Sequence, residues 1–443
     1  MNSSANFTVE IERMAFGSDA IGHLSNGKTV FIEGGAPGDV AEIAVTEETA
    51  SFARATIQNI LEPSDIRVKP ASPIDALCGT APWQHLSYEA QLTWKRENVV
   101  GALVHTARFD PDRAAAIVGS CLGSKRTWNY RNKIELACGT TPDGKFALGF
   151  HREGTNEFVA TDSTMLAHKA IERTPKALRG AIRYAQGSRD LGIYRVGVRH
   201  SLATGELEVA LWTPPSSFPR AMFAKTLSTS LKATSIVRVM AEPGKARKIK
   251  GVETLSGKGY WHERLGDVEF STQAPSFFQV NSAQAEKLVK TAIDLLGNVD
   301  GLYIADLYAG GGTFSIPLAL HGADVVAVEA SKSSVRDLRH NADSNGVDLE
   351  VVGGDAAHEL ATLGQLDALV VDPPRAGLTE SVIADIAAAE PERIVYVSCN
   401  PATWARDIVR LEGYGYRLQR AVPVDLFPQT YHVETVSMLA SGE

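Results

Sequence analysis

Hydrophobic and polar residues alternate in short runs over the first 60 positions, which is the pattern of β-strands. Turn residues separate the runs, notably Ser25-Asn26-Gly27 and the glycine-rich residues 33–38. The predicted strands are residues 7–11, 29–32, 40–45 and 55–60. Short strands joined by tight turns predict a small β-barrel, a fold that often binds oligonucleotides.

The pattern changes in the middle of the chain. Prolines interrupt a loop-rich stretch at residues 63–82, and apolar residues then recur at three- and four-residue spacing from 87 to 106, which predicts a helix. Further on, the pattern predicts strands at 130–137, 146–151, 193–200 and 206–212 and a helix at 163–185. This mixture indicates an α+β region.

From residue 280 onward, strand patterns alternate with helix patterns. The predicted strands are 302–307, 324–329, 349–353, 368–372 and 393–398, and the predicted helices are 313–321, 331–345, 378–389 and 401–412. This rhythm is typical of an open parallel sheet with helices on both faces. Residues 416–425 and 431–439 are consistent with a closing antiparallel hairpin.

Composition narrows the class of protein. At 443 residues, with 44% hydrophobic and 22% charged side chains, the chain has the balance of an ordinary globular protein of about three domains. No apolar run approaches the ~18 residues of a membrane span, and residues 1–10 lack the features of a secretory signal. Four cysteines do not make a disulfide framework. We therefore expect a reduced, cytoplasmic protein.

Charge is segregated along the chain, although the formal net charge is −8. Residues 117–265 hold 24 basic and 12 acidic side chains, a net charge of +12. The flanking residues 1–116 carry −6 and residues 271–443 carry −12. A basic block between acidic ones is the expected footprint of a polyanion-binding surface, with a merely solvated basic surface as the alternative.

Ligands of a parallel sheet bind at the carboxyl ends of its strands. The first strand leads into residues 306–314, DLYAGGGTF, whose small residues allow a ligand close to the backbone. The next ends at Glu329, a carboxylate that suits a ribose diol, and the following ones end at Asp355 and Asp372. The glycine spacing differs from the dinucleotide pattern, and the set favours S-adenosylmethionine. For Asp306, a structural role without ligand contact stays open.

The fifth strand end supplies a candidate nucleophile, Cys399, in Ser398-Cys399-Asn400-Pro401, with a small buried packing residue as the alternative. Carbon 5 of uracil is too weak a nucleophile to attack a sulfonium methyl group, and addition of a thiolate to carbon 6 activates it as an enolate. The methylated ring then loses its carbon-5 proton to a base, and the thiolate leaves. Glu434 is the candidate base, with a solvated strand carboxylate as the alternative interpretation, and His432 is its rival.

Taken together, these motifs resemble those of a known family, the bacterial RNA 5-methyluridine methyltransferases. The resemblance is carried by residues 279–281 (QVN), 306–314, 372–378 (DPPRAGL), 398–401 (SCNP) and 432–436 (HVETV). Residues 84–88 (QHLSY) and 130–133 (YRNK) resemble its middle region, and the amino-terminal barrel looks like its TRAM domain. The resemblance therefore covers essentially the whole chain.

The resemblance implies a role for each matching residue. Cys399 would be the nucleophile and Glu434 the proton acceptor. The residues that would contact S-adenosylmethionine are Gln279, Tyr308, Glu329 and Asp372. Arg375, in the loop that follows Asp372, would meet the target base together with it.

The resemblance also implies an α/β architecture of three domains. These are a TRAM-like, OB-like β-barrel at 1–62, an α+β central RNA-recognition domain at 63–85 and 117–270, and a Rossmann-like class I methyltransferase domain at 86–116 and 271–443. The central domain coincides with the basic block. Its aromatic residues Trp128, Tyr130 and Tyr184 are candidates for stacking on unpaired bases, with a place in the core as the alternative.

The chain departs from the family where many members bind a [4Fe–4S] cluster. Those members have three closely spaced cysteines before the QHL motif, and the corresponding positions here are Ser72, Cys78 and Ala81. Ser163 stands at the position of the fourth cysteine. Because such a cluster needs about four thiolates, we expect none, and no metal site. Cys78, Cys121 and Cys138 are then expected to be packing residues.

The sequence thus predicts an enzyme that transfers a methyl group from S-adenosylmethionine to carbon 5 of a uridine in structured ribosomal or transfer RNA, acting as a monomer without membrane attachment. A dinucleotide-dependent oxidoreductase would explain Glu329 but neither Asp372 nor Cys399. A non-catalytic RNA-binding factor would explain the basic block but would leave Cys399 and Glu434 incidental. The target RNA, its uridine and the number of modified sites stay open.

Overall fold

A computed structural model describes residues 6–152, 154–244 and 248–442 of the protein. The strands up to residue 272 are β1 (Asn6–Met14), β2 (Ala20–His23), β3 (Thr29–Glu33), β4 (Val40–Glu48), β5 (Phe52–Glu62), β6 (Lys133–Thr140), β7 (Phe146–His151), β8 (Phe158–Ala160), β9 (Arg195–His200), β10 (Leu207–Thr213), β11 (Ser235–Ala241), β12 (Ile249–Ser256), β13 (Trp261–Leu265) and β14 (Val268–Thr272). The later strands are β15 (Tyr303–Leu307), β16 (Asp324–Glu329), β17 (Glu350–Gly353), β18 (Ala368–Val371), β19 (Arg393–Ser398), β20 (Tyr416–Val424) and β21 (Glu434–Ser441).

The helices are α1 (Pro73–Leu77), α2 (Tyr88–His105), α3 (Pro111–Ile117), α4 (Thr174–Gln186), α5 (Arg220–Leu231), α6 (Ser282–Leu296), α7 (Ser315–Leu320), α8 (Lys332–Asn345), α9 (Ala356–Glu359), α10 (Glu380–Ala388) and α11 (Pro401–Gly413), with a 3-10 turn at Leu360–Thr362. None of the helices within the described residues combines the length and the apolar character that crossing a membrane requires.

Contacts divide the chain into two compact units. Unit 1 comprises the chain up to Thr127 together with Pro374–Gly377 and Val397–Gly442, and unit 2 comprises Trp128–Pro373 and Leu378–Tyr396. The predicted three-domain division follows other boundaries, since its methyltransferase domain includes residues of both units, and it stays a prediction.

The amino-terminal barrel in unit 1 is confirmed. Its five strands close in the order β1-β2-β3-β5-β4, and apolar residues such as Val30, Ile32 and Ile43 fill the interior. Trp83 and Leu86, which follow the barrel in sequence, pack into the same core. The short strand β2 was not predicted, because four residues give too little alternation to detect.

The remaining part of unit 1 is built around α2. Ser87 caps this helix by accepting a hydrogen bond from the N–H of Ala90, and the helix ends at His105, close to the predicted range of 87–106. α2 packs against α11, which begins at Pro401, and against β20. β20 and β21 form the predicted antiparallel hairpin.

The central part of unit 2 is a seven-stranded sheet in the order β12-β11-β10-β9-β6-β7-β8. α4 and α5 pack together, and buried residues from both, including Leu178 and Phe223, share a hydrophobic core with the sheet. The predicted helix at 163–185 was too long, because α4 begins only at Thr174. Pro175 explains this start, since proline fits the first turn of a helix and is disfavoured in its interior.

The carboxyl-terminal part of unit 2 confirms the predicted strand–helix alternation. Five parallel strands lie in the order β17-β16-β15-β18-β19, and each differs from its predicted range by no more than one residue. Three of them, β15, β16 and β18, are almost wholly buried, as expected for strands covered on both faces. Their carboxyl ends therefore meet at one edge, where the predicted ligand residues follow.

Candidate functional site

The loop after β15 has the backbone geometry of a close ligand contact. Tyr308 adopts a backbone φ of +65°. This is the left-handed region, which residues other than glycine and asparagine rarely occupy. Strained conformations of this kind concentrate at functional sites. Gly312, with a φ of +93°, lies where a Cβ atom would be 2.6 Å from the Leu338 side chain and 2.8 Å from that of Ile316. Only glycine therefore fits at this position.

Glu329 holds this loop in place from the end of β16. Its Oε2 accepts a hydrogen bond from the N–H of Gly310 at 2.9 Å, and its Oε1 accepts one from the N–H of Ser331 at 2.6 Å. Each carboxylate oxygen has a second lone pair, so the group keeps acceptor capacity for a diol. The sequence prediction that Glu329 stands at a strand end is confirmed.

Three carboxyl groups influence one another at this edge of the sheet. Asp306 is fully buried and accepts a hydrogen bond from the Ser315 hydroxyl. Burial raises the pKa of Asp306 to about 7, and the charge of Glu329 adds to the rise. Burial also raises the pKa of Asp372 to about 7, and the charge of Asp306 makes a smaller contribution to this rise. Such a concentration of carboxyl groups favours a cationic ligand.

Asp306 also leaves one polar atom without a partner. Within residues 6–152, 154–244 and 248–442, its Oδ1 is buried and accepts no hydrogen bond. The loop that begins at Asp372 is fixed beside it, because the N–H of Asp372 donates to the carbonyl oxygen of Leu307 at 3.3 Å. The structural role that was left open for Asp306 therefore has a basis in its bond to Ser315.

Gln279 is positioned by the central sheet. The residue is buried, and its carbonyl oxygen accepts a hydrogen bond from the side-chain amide of Asn132 at 2.9 Å. The same amide donates to the hydroxyl of Ser282 at 3.0 Å, and the N–H of Asn132 donates to the carbonyl oxygen of Val280 at 2.8 Å. The chain around Gln279 thus depends on one buried asparagine.

Asp355 lies just after its strand, close to where it was predicted. It follows β17 by two residues and caps α9, because its carboxylate accepts a hydrogen bond from the N–H of Ala357 at 2.9 Å. The capping bond explains an acidic residue here without any ligand.

Cys399 lies in unit 1, directly after β19 and directly before Asn400, the capping residue of α11. The Asn400 side chain accepts from the N–H of Ala402 at 3.1 Å and donates to the carbonyl oxygen of Arg375 at 3.2 Å. Thr403 donates to the same carbonyl oxygen at 3.1 Å. The loop that carries Arg375 is therefore tied to the cysteine loop, beside a helix N-terminus that favours negative charge.

The other three cysteines are poorly suited to nucleophilic chemistry. Burial raises the pKa of Cys121 and of Cys138 to about 12 each, and the charge of Asp425 adds to the rise for Cys121. Cys78 is buried. Cys138 packs against the hydrophobic core of the central sheet, and it is partly exposed, as are Cys121 and Cys399.

Glu434 is the first residue of β21, where it pairs with Val424 of β20. Only 6% of the residue is exposed, so it is not the solvated strand carboxylate that the alternative interpretation supposed. His432 lies two residues before it, and its ring packs 4.2 Å from the ring of Tyr431 and 5.8 Å from that of Phe427. An aromatic packing role for His432 is therefore visible in the structure.

The residues present do not fit an iron–sulfur cluster. Ser72 is buried and donates to the carboxylate of Asp75 at 2.6 Å, and the amide of Gln84 bonds to both the N–H and the carbonyl group of Ser72. Ala81 is buried and has no ligand atom. Across the described residues, no group of three or more His, Cys, Asp or Glu side chains is arranged to hold a metal ion.

Sequence reasoning missed several residues that support the site. Ser315 bonds to Asp306, Asn132 bonds to Gln279, and Asn341 donates to the carbonyl oxygen of Gly311 at 2.9 Å. The capping role of Asn400 had a signal, because asparagine followed by proline marks the start of a helix. Asn341 lies in the middle of a helix and gave none.

Comparison with known proteins identifies relatives along the entire chain. The profile described as tRNA (Uracil-5-)-methyltransferase matches residues 257–363 and 358–441, and the TRAM domain profile matches residues 5–57. An RNA methyltransferase of Halalkalibacterium halodurans is 32% identical over 98% of this chain and 96% of its own length. Another, from Chlorobaculum tepidum, is 33% identical over 95% of this chain and 93% of its own length.

A solved structure is similar to this chain along almost its full length. It is the Pyrococcus abyssi tRNA (uracil-54, C5)-methyltransferase in complex with S-adenosyl-L-homocysteine, with a TM-score of 0.77 and 28% sequence identity. The match covers 99% of this chain and 100% of the other.

Proposed function

The chain belongs to the S-adenosylmethionine-dependent RNA (uracil-C5)-methyltransferases, and from this premise we propose which residues perform the reaction and how. Cys399 is the nucleophile, Glu434 is the general base, and the residues that contact S-adenosylmethionine are Gln279, Tyr308, Glu329 and Asp372. Arg375 meets the target base. These assignments rest on their places in the fold and on the chemistry that the reaction needs.

The reaction proceeds through a covalent adduct in this proposal. The Cys399 thiolate adds through Sγ to carbon 6 of the uracil, and the electron pair moves onto the ring as an enolate. Carbon 5 then takes the methyl group from the sulfonium, whose carbon–sulfur bond breaks to leave S-adenosylhomocysteine. Glu434 accepts the carbon-5 proton, the carbon 5–carbon 6 double bond forms again, and the thiolate departs.

The observation that carries this proposal is the setting of Cys399. It stands between a strand end and a helix cap, and hydrogen bonds from Asn400 and Thr403 tie its loop to the Arg375 loop. The cluster of Asp306, Glu329 and Asp372 supports the donor site, because the sulfonium and ammonium groups of S-adenosylmethionine are both cationic. Glu329 keeps acceptor sites for the ribose hydroxyls.

The substrate in this proposal is a uridine in structured RNA, either transfer RNA or large-subunit ribosomal RNA. The target base is flipped out of its stack, as base-modifying enzymes require. The central residues 63–85 and 117–270 recognise the RNA, the barrel at 1–62 precedes them, and residues 86–116 and 271–443 form the methyltransferase domain. A monomeric state and a cytoplasmic location belong to the same proposal.

Nucleoside mass spectrometry tests the assignment. The purified protein is incubated with S-adenosylmethionine and, separately, with unmodified transfer RNA and 23S ribosomal RNA transcripts. Transfer RNA is the first arm, because the solved relative acts on uracil 54 of transfer RNA. We expect 5-methyluridine in one of the two RNAs, and none with Cys399→Ala. Cys138→Ala is the matched control, because this thiol packs against the central core and should be dispensable.

Glu434→Gln separates the two catalytic roles. This variant should add its thiol and transfer the methyl group but fail to remove the proton, so a covalent protein–RNA complex should survive denaturation on a gel. Formation of 5-methyluridine by Cys399→Ala would overturn the nucleophile assignment. Full turnover by Glu434→Gln would overturn the base assignment.

A further inference from the structure

Two neighbouring helices of the central part lack acidic residues altogether. α4 and α5 together contain 25 residues, which at the chain's frequency of 52 acidic residues in 443 would include about three. They contain none, yet they carry five basic residues: Lys176, Arg179, Arg183, Arg220 and Lys225. These two helices therefore add five basic residues and no acidic ones to the basic block noted in the sequence.

One face of α4 turns its basic residues to solvent. The apolar side of the helix is buried in the core through Leu178, Ile182 and Ala185. The opposite side, spaced by three and four residues, is exposed and consists of Arg173, Lys176, Gly180, Arg183 and Tyr184. We call these five residues the α4 basic face.

Ion pairing distinguishes the cations of the α4 basic face from their neighbours. Arg179, at its margin, pairs with Asp162 at 2.6 Å, and Arg220 of α5 pairs with Glu253 at 2.5 Å. In the part of the chain that the structure describes, Arg173, Lys176 and Arg183 form no ion pair. Unneutralised cations on one helix face favour a polyanion.

Tyr184 sets this face apart from an ordinary solvated surface. Its side chain is 73% exposed, whereas Tyr130 is 2% exposed and belongs to the core. An exposed aromatic ring next to unpaired cations is the arrangement by which proteins bind unpaired nucleotides, since the ring stacks on a base while the cations contact phosphates. An acidic protein would match the charge but would not use the ring in this way.

We propose that the α4 basic face binds a single-stranded segment of the substrate RNA, with Lys176 and Arg183 on phosphates and Tyr184 stacked on an unpaired base. The inference rests on the proposed function in that RNA is the substrate. It adds a specific contact surface to that function, one that engages RNA without taking part in methyl transfer.

Binding of a fluorescein-labelled 12-nucleotide oligouridylate to the full-length protein tests the charges. For Lys176→Gln/Arg183→Gln we expect about ten-fold weaker binding, and a salt dependence whose log–log slope falls by about 1.4, at 0.7 per lost phosphate contact on single strands. Lys250→Gln/Lys290→Gln is the matched control, because it removes two exposed cations that are already paired with Glu242 and Asp294. An equal loss in both double variants overturns the proposal.

Variants of Tyr184 test the stacking contact. Tyr184→Leu should weaken oligouridylate binding by about five-fold or more, whereas Tyr184→Phe should stay within about two-fold of the wild type because it keeps the ring. Neither variant should change binding of polyglutamate, which has charge but no bases. Equal binding of the oligouridylate by Leu and Phe variants overturns the stacking contact.

Photocrosslinking locates the contact independently. An oligouridylate that contains 5-iodouridine should attach to the tryptic peptide of residues 184–189, which begins at Tyr184. Attachment only at other peptides overturns the proposal. None of these measurements needs methyl transfer. A wild-type protein that forms no 5-methyluridine would therefore overturn the proposed function, whereas the RNA contact of the α4 basic face would still be decided by the binding and crosslinking results.

Discussion

The side-chain amide of Asn132 donates a hydrogen bond of 2.9 Å to the carbonyl oxygen of Gln279, a residue 147 positions away in the chain. Asn132 directly precedes β6 of the central sheet, and Gln279 is the first of the residues proposed to contact S-adenosylmethionine. The region proposed to recognise RNA therefore fixes the backbone of the segment proposed to bind the methyl donor. This contact couples the two parts of unit 2.

Asn132→Ala should weaken donor binding more than RNA binding. The substitution leaves the carbonyl oxygen of Gln279 and the hydroxyl of Ser282 without their buried donor, and an unsatisfied buried group costs about 1–3 kcal/mol. We expect about a ten-fold rise in the dissociation constant for S-adenosylmethionine by calorimetry, with oligouridylate binding within about two-fold of the wild type.

Asn345→Ala is the control for that experiment, because its amide also donates to a carbonyl oxygen, that of Glu269 at 2.7 Å, but at the exposed end of α8. Donor binding should be unchanged in this variant. If the two substitutions weaken donor binding equally, the positioning role of Asn132 is wrong.

Asp306→Asn should stabilise the ligand-free protein at alkaline pH. The pKa of Asp306 is raised to about 7 in the folded state, well above 3.8, so the folded protein holds this proton more tightly than the unfolded chain. The stability that the protonated carboxyl allows is therefore fully present only below pH 3.8, and it is lost as the pH rises from there through about 7. Removing the titrating group should raise the free energy of unfolding at pH 8 by about 2–4 kcal/mol.

Urea denaturation at pH 5 and pH 8 measures this effect. At pH 5 the gain of Asp306→Asn should be clearly smaller than at pH 8, because the folded wild type still holds its proton at pH 5, and asparagine can still accept from Ser315. Asp294→Asn, an exposed carboxylate paired with Lys290, should show no comparable gain at pH 8. A loss of stability at pH 8 in Asp306→Asn would contradict the assignment of a buried, raised pKa.

The preference for S-adenosylmethionine over S-adenosylhomocysteine should increase with pH. The pKa of Asp372 is raised to about 7, so its charge, and its attraction to a sulfonium, develop between pH 6 and pH 8. Both ligands carry the same amino acid, so titration of their amine cancels in the ratio of the two dissociation constants. We expect that ratio to change several-fold across this range by calorimetry, and a constant ratio would remove Asp372 from the methyl-donor site.

Gly312→Ala and Gly311→Ala should differ sharply in stability. A Cβ atom on Gly312 would lie 2.6 Å from the Leu338 side chain, and its φ of +93° strains any other residue. The nearest atom to a Cβ on Gly311 is the Asn341 amide at 3.6 Å, an ordinary contact. Thermal unfolding without ligand should show a loss of about 2–4 kcal/mol for Gly312→Ala and less than about 1 kcal/mol for Gly311→Ala. Similar losses would refute the steric argument.

The sequence was most informative where local pattern decides structure. Parallel strands buried on both faces give continuous apolar runs, so β15, β16 and β19 and the polar residues after them could be placed within a residue. Glu329 at its strand end and Asn400 before its helix follow from that placement. Asp355 shows the limit of the same reasoning, because an acidic residue after a strand can cap the next helix.

Contacts between distant segments could not be predicted from pattern. The bonds from Asn132 to Gln279 and from Ser315 to Asp306 depend on how elements pack, and neither pair has a characteristic spacing. The helix at 163–185 was overextended because its apolar residues continue the helical spacing ahead of Pro175. The exposure of Tyr184 likewise depends on which face of α4 the core covers.

The buried pair of Lys95 and Asp425 gives the last prediction. Both side chains are fully buried in unit 1, where Lys95 bonds to Asp425 and to the carbonyl oxygen of Phe427, and Tyr88 donates to Asp425 at 2.8 Å. Lys95→Met leaves a buried carboxylate without its cation, which typically costs about 3–5 kcal/mol. Urea denaturation at pH 8 should show that loss.

Adding Asp425→Asn to Lys95→Met should recover much of the lost stability, because the neutral amide removes the uncompensated charge and can still accept from Tyr88. Asp425→Asn alone should be destabilising, since it leaves Lys95 as the buried charge. The two substitutions must therefore be less harmful together than their separate effects predict. Additive losses in the double variant would show that the pair acts through packing, and that its charges are not what holds α2 to the segment before β21.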